Sequence, residues 1–158
     1  MSNEMKRRIF LKRSLAAGSV GVAAATGLLA PQQVLAAWNK AAFESKELSG
    51  ALNALLGSSD MSESADIKVK APDIAENGAV VPITVDASID GVESIAIIAT
   101  NNPVPLVANF VMGPGATGFV STRIKMGKTG DVVGVVKAGG KLYSAKKEVK
   151  VTIGGCGG

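Results

Sequence analysis

From about residue 65 onward, apolar and polar side chains alternate in short runs. Ile67-Lys68-Val69-Lys70-Ala71 and Val149-Lys150-Val151-Thr152-Ile153 place an apolar group at every second position, the period of a strand with one face in a core. Similar β-rich runs cover 80–87, 94–100, 106–112, 119–126, 131–137, 141–145 and 148–153, separated by Gly, Pro, Asn and Asp. Gly139-Gly140 reads as a hairpin turn between two of them. Seven or eight strands with no helix between them predict an all-β, immunoglobulin-like antiparallel sandwich over 65–153. A parallel α/β sheet would need crossover helices for which the sequence has no room.

Ahead of the strands the period changes. Trp38, Ala42, Phe43, Leu48, Leu52, Leu55 and Leu56 recur at roughly helical spacing, and Gly57 is a natural stop, so one short amphipathic helix is predicted over 37–57. Residues 58–64 read as a polar linker. Within the sandwich, Asn101-Asn102-Pro103-Val104-Pro105 and the Gly/Pro-rich 113–118 are read most simply as surface turns. The run between them, 106–112, is apolar on both faces apart from Asn109. It is therefore either a strand that meets a partner subunit or a fully buried central strand.

The first 36 residues have a different texture. Lys6-Arg7-Arg8-Ile9-Phe10-Leu11-Lys12 leads into an Ala/Gly-rich apolar stretch and a small-residue site at Val34-Leu35-Ala36-Ala37, the pattern of a twin-arginine export signal carried by Arg7 and Arg8. Cleavage after Ala36 or Ala37 is expected, with the mature chain in the periplasm and no membrane anchor. The stretch is too short and too broken by glycine to be read as a transmembrane helix.

Charge looks different once that signal is set apart. The whole chain has 17 basic and 13 acidic residues, but the signal holds five of the basic ones and a single acid, which leaves 12 of each. A formally neutral mature chain gives no reason to expect nucleic-acid binding. Twin-arginine export carries folded cargo, and the chain has no histidine, one cysteine and no Gly-rich nucleotide fingerprint with which to hold a cofactor. Export of a complex assembled with a second subunit is the better reason for the folded route.

The candidate chemistry is at the end of the chain. Cys156 sits in Gly154-Gly155-Cys156-Gly157-Gly158, with no second cysteine for a disulfide and no apolar run for it to pack in. Glycine puts no bulk beside the sulfur and admits either sign of φ, so the five residues read as a carrier arm that presents a thiol. From Ile153, three residues at ~3.5 Å each give the sulfur a reach of roughly 10 Å. The neighbouring terminal carboxylate offers no activation, and without histidine no Ser-His or Cys-His pair can form. The chain is thus expected to be no enzyme, with no catalytic residue, metal or cofactor of its own, and to carry a group on which partners act. Outside the cytoplasm sulfur is the more reasonable cargo, because acyl transfer needs coenzyme A or ATP chemistry.

The export signal, the small β-rich domain, the final run Val149-Lys150-Val151-Thr152-Ile153 and the terminal Gly-Gly-Cys-Gly-Gly resemble the SoxY family, the Y subunits of the Sox thiosulfate-oxidation system, over essentially the whole chain. The resemblance implies a heterodimer with a SoxZ-like subunit and covalent attachment of sulfur at Cys156. It further implies a SoxAX-type haem transferase that loads thiosulfate, a SoxB-type manganese thiohydrolase that releases sulfate and, where present, a sulfane dehydrogenase. Those cofactors belong to the partners. The competing reading is an exported structural or adhesive sandwich that uses Cys156 for an intermolecular disulfide. A carrier working through a C-terminal thiocarboxylate on Gly158 would need ATP and would leave Cys156 without a role.

Overall fold

The computed structural model describes residues 39–152. The stretch expected to be an export signal, Arg7 and Arg8 included, lies outside the described residues. Two helices, α1 (Lys40–Glu44) and α2 (Leu48–Leu56), precede nine strands: β1 (Ser62–Glu63), β2 (Ile67–Lys70), β3 (Ile74–Ala75), β4 (Val81–Ala87), β5 (Val92–Ala99), β6 (Leu106–Val111), β7 (Phe119–Ile124), β8 (Gly130–Ala138) and β9 (Lys141–Val151). One sheet runs β1-β9-β8-β5-β6, with β3 also paired to β9, and the other runs β2-β4-β7. The long ladders are antiparallel, and the chain has the immunoglobulin-like sandwich architecture that the alternating runs predict.

Two apolar layers hold it together. Between the sheets, Ile95, Ile97, Val132, Val136 and Val149 meet Val81, Ile83, Val85, Val120 and Ile124. On the other side of the larger sheet, Ala96, Ile98, Leu106, Val133, Val135 and Leu142 are covered by Ala42, Ala51 and Leu52 from the helices. β5 and β8 are therefore buried on both faces, which explains why Ile95-Ala96-Ile97-Ile98-Ala99 and Val132-Val133 lack the simple alternation of β2. Gly134 lies where the sheets approach closely: a Cβ there would stand 3.0 Å from Val85 Cγ1 and 3.1 Å from Val69 Cγ2.

The predicted 37–57 helix is two helices. Asn39 caps α1 by accepting the Ala42 N–H at 3.1 Å, and its amide donates to Ala54 O at 2.6 Å. In one unbroken helix, residues 15 positions apart would be separated by about 22 Å, so that bond requires the chain to fold back. The fold-back occurs at 45–47, where the Ser45 hydroxyl accepts the Glu47 N–H at 3.3 Å and donates to Glu47 O at 2.8 Å. Folding back lets Ala42 and Leu52 both reach the same sheet face. Gly57 does end α2, with φ 83° and its N–H on Asn53 O.

Other differences concern the edges. The runs 141–145 and 148–153 join into the single strand β9, because β8 pairs alongside from Ala138↔Lys141 to Gly130↔Val149 and crosses the Lys146-Lys147 step without interruption. The hairpin at Gly139-Gly140 is as predicted, with φ 55° and 73°, the left-handed pair that suits a two-residue turn. The linker 58–64 contributes β1, and a second short strand, β3, escaped the alternation because two residues are too few to show a period. Both lie parallel to β9. Among the described residues β6 is an edge strand, not a buried central one: it pairs with β5 alone, with a register shift at Ile97/Ile98.

Replacing Ile97, fully buried between the sheets, by alanine is expected to lower stability by about 2–5 kcal/mol. Urea unfolding should then show a lower midpoint.

Candidate functional site: the base of the C-terminal arm

Cys156 and its neighbours Gly154, Gly155, Gly157 and Gly158 lie outside the described residues. What is described is the base from which that segment continues. β9 makes its last ladder pair with β8 at Val149↔Gly130, two residues before Val151. Beyond that pair, β8 no longer supplies backbone partners, and three other groups take over. Lys150 N–H donates to Asp73 O at 3.0 Å, and Thr152 N–H to Ala75 O at 3.1 Å, both on the β3 side. On the opposite side Val151 N–H donates to Thr129 Oγ1 at 2.9 Å, and that hydroxyl lies 3.4 Å from Val151 O.

The surrounding loops are tied to one another. Asn101 Nδ2 donates to Thr129 O at 2.7 Å, Asn102 Nδ2 to Lys125 O at 2.8 Å, and Gly127 N–H to Asn102 Oδ1 at 2.9 Å. Met126 N–H donates to Gly78 O at 2.7 Å, and Gly78 is so close that a Cβ would overlap the Met126 carbonyl oxygen and stand 2.7 Å from Val151 Cγ1. The Asn-Asn-Pro-Val-Pro segment, which reads as a turn, thus also braces the loop beside the end of β9. Sequence alone offered no sign of this, because the partners of Asn101 and Asn102 are backbone groups 23 to 28 residues away.

One ion pair stands at the same edge. Lys147 Nζ is 2.5 Å from Asp73 Oδ1. That hydrogen bond, followed by the charge of Lys147, holds the Asp73 carboxyl below its usual range, with Lys150 adding a smaller pull in the same direction. Since Asp73 is exposed, the pair is screened by water and serves chiefly to register β3 against β9.

Among the described residues no three His, Cys, Asp or Glu side chains gather to hold a metal, and no helix is long and apolar enough to cross a membrane. A cavity of about 510 Å³ among the described residues is an open hollow beside α2 lined by Glu47, Leu48, Ser49, Leu52, Ser59 and Met61, remote in sequence from Cys156.

Such a molecule falls in the class of small immunoglobulin-like sandwiches in which the last strand leads toward a lone cysteine. Residues 52–156 match the family model of the sulfur oxidation protein SoxY, a match that extends to Cys156, and the chain belongs to that family of sulfur carriers. Among solved structures, the sulfur carrier protein SoxY from Chlorobium limicola f thiosulfatophilum is similar at 51% identity and a TM-score of 0.59, covering 65% of this chain and 94% of that one. Two further matches, a chain from a study of T cell specificity and activation by the superantigen toxic shock syndrome toxin-1 (14% identity, TM-score 0.39) and the human F-spondin reeler domain (13%, 0.40), are too distant to carry an argument. They cover 54% and 59% of this chain and 99% and 93% of theirs. No curated protein matches the chain.

The Asp73 pair makes a pH prediction. Because the folded pKa is lowered, the contact is intact at neutral pH and is lost as the pH falls from the ordinary value of 3.8 through the lower folded value. An NMR titration should place Asp73 below 3.8 in the wild type and return it toward 3.8 in Lys147→Met.

Proposed function

We propose that the protein is a periplasmic sulfur carrier that holds thiosulfate-derived intermediates covalently on Cys156 and presents them to partner enzymes. The observation that carries this reading is the chain's membership of the SoxY family through a match that reaches its only cysteine. Two further points support it. Cys156 is flanked by glycine on both sides, so nothing bulky obstructs the sulfur. The chain has no histidine to pair with the thiol as a base, which suits chemistry supplied by partners.

The chemistry divides accordingly. In loading, the Cys156 thiolate and the terminal sulfur of thiosulfate would form an S–S bond, the two electrons lost would leave one at a time through a SoxAX-type transferase to its electron acceptor, and a thiosulfonate would be left on the thiol. A SoxB-type manganese thiohydrolase then adds water across the S–SO₃ bond, releasing sulfate and protons and leaving a persulfide on Cys156. A sulfane dehydrogenase, where present, passes six electrons from that outer sulfur to its own electron acceptor while three waters supply the oxygens and six protons leave, giving a sulfonate; a second hydrolysis releases another sulfate and restores the thiol. The tether keeps the intermediate at high local concentration for each partner in turn. The chain itself supplies attachment and presentation, needs no cofactor, and enters the periplasm folded by way of Arg7 and Arg8.

A SoxZ-like subunit completes the carrier, and we place it along β6. No charged side chain occurs from residue 94 to 122, although both flanks are rich in Lys, Asp and Glu. That uncharged stretch includes the free edge of β6, which has no lysine or internal proline to discourage strand pairing, and Val111 beside it is 80% exposed. Val111→Lys is expected to leave the isolated chain folded while reducing its co-purification with a co-expressed SoxZ-like subunit by tenfold or more; undiminished recovery of the complex would place the subunit elsewhere.

Intact-mass spectrometry of the mature protein, isolated without reductant from cells oxidising thiosulfate, tests the carrier reading. Sulfur, sulfonate or thiosulfonate increments that are removed by reductant and absent in Cys156→Ser are expected. A bare thiol, or only a disulfide-linked dimer, would instead favour a structural role for the cysteine.

A further inference from the structure

We infer that Thr129 is a positioning residue for the carrier arm, and that Asn101 in turn holds Thr129 in place. The inference rests on the reading of 154–158 as an arm, but its geometry lies wholly within the described residues. An antiparallel ladder fixes a strand through backbone groups on its neighbour, and β8 stops providing them at Gly130, opposite Val149. The next residue with an N–H facing that side is Val151. Its donor goes to Thr129 Oγ1 at 2.9 Å, and the same hydroxyl is placed to donate back to Val151 O at 3.4 Å. A side chain thus supplies both halves of the missing ladder pair.

That substitution works only if the hydroxyl itself is held. Thr129 is exposed, and its carbonyl accepts Asn101 Nδ2 at 2.7 Å. Asn101 lies over Gly130, where a Cβ would come within 2.8 Å of Nδ2, so the absence of a side chain at Gly130 is what admits the amide. One step along, Thr100 repeats the device: its hydroxyl accepts the Asp131 N–H at 3.2 Å and lies 3.2 Å from Asp131 O. The loop containing Asn101 is therefore registered on β8 before it grips Thr129. Together with Thr152 N–H on Ala75 O, these bonds secure Val151 and Thr152 from both sides.

The functional consequence is a length. With Thr152 secured, four residues carry the chain to Cys156, an upper reach of about 14 Å; with Val151 and Thr152 released, six residues would give about 21 Å. Tether length sets local concentration, falling roughly as the −3/2 power, so the released arm would present its thiol about twofold less effectively at a site matched to the shorter one. Thr129 accordingly sets where the arm begins.

Three variants of the mature chain test this: Thr129→Val, which keeps the shape and removes the hydroxyl; Thr129→Ser, which keeps the hydroxyl; and Asn101→Ala. Amide hydrogen exchange read by NMR is expected to be at least about fivefold faster at Val151 and Thr152 in Thr129→Val and Asn101→Ala, and close to wild type in Thr129→Ser. The urea midpoint and exchange in β5 should not move, which separates positioning from a general loss of stability. Distances between a nitroxide on Cys156 and a second on Ser88→Cys, at the opposite end of the sandwich, should broaden in Thr129→Val alone of the two Thr129 variants. Unchanged exchange at Val151 and Thr152, or acceleration shared equally by the whole sheet, would overturn the inference. None of these measurements reads sulfur transfer, so the clamp can fail while Cys156 still carries sulfur, and the reverse.

Discussion

Nine residues of β8 pair with nine of β9 in one uninterrupted ladder, and the rest of the molecule is arranged around that pairing. Val132, Val136 and Val149 turn into the layer between the sheets, while Val133, Val135 and Leu142 turn outward to the helices. Slipping the register by one residue would exchange these two sets and drive Lys146, Glu148 and Lys150 toward the core. The turn at Gly139-Gly140 fixes the pairing at one end. At the other, the ladder runs out just before the chain ends, and side chains from the loops replace it.

How the sequence announced this depended on the kind of signal. The strands facing water on one side, such as β2, declared themselves by alternation, and Gly57 and Gly139-Gly140 by their backbone requirements. The fold-back between α1 and α2 did not, since Ser45-Lys46-Glu47 carries no Gly or Pro and the bond that demands it, Asn39 to Ala54, joins a side chain to a distant carbonyl. β6 was ambiguous for a related reason. An apolar run fits both a central strand and an edge awaiting cover, and only pairing on one side alone decides between them. Asn109, the polar interruption in that run, lies opposite Ala96, and its Oδ1 is shut away without a hydrogen-bond partner, a cost the sequence could not reveal.

The terminal motif speaks in a different way. Gly-Gly-Cys-Gly-Gly can be read as chemistry without any knowledge of the fold, because glycine and a solitary thiol have few other uses in combination. Its base could not be read so, since Thr129, Asn101 and Asp73 act on backbone groups or on a lysine brought near only by folding. Nothing in their local sequence distinguishes them from ordinary turn residues. The family defines the chain as a sulfur carrier; the fold determines how Val151 and Thr152 are bonded.

The position of β9 also bears on how the chain can be made. Its outer edge is padded by β1 and β3, two of the earlier strands, and its inner edge by β8, so the final strand inserts into a slot formed by residues synthesised before it. Those short parallel pairings have no partner until the C-terminal residues arrive, and the layer containing Val149 remains open until then. A polypeptide cut short before β9 would therefore be left with an unsealed core as well as without its thiol. A chain able to close its larger sheet has therefore already been translated through β9.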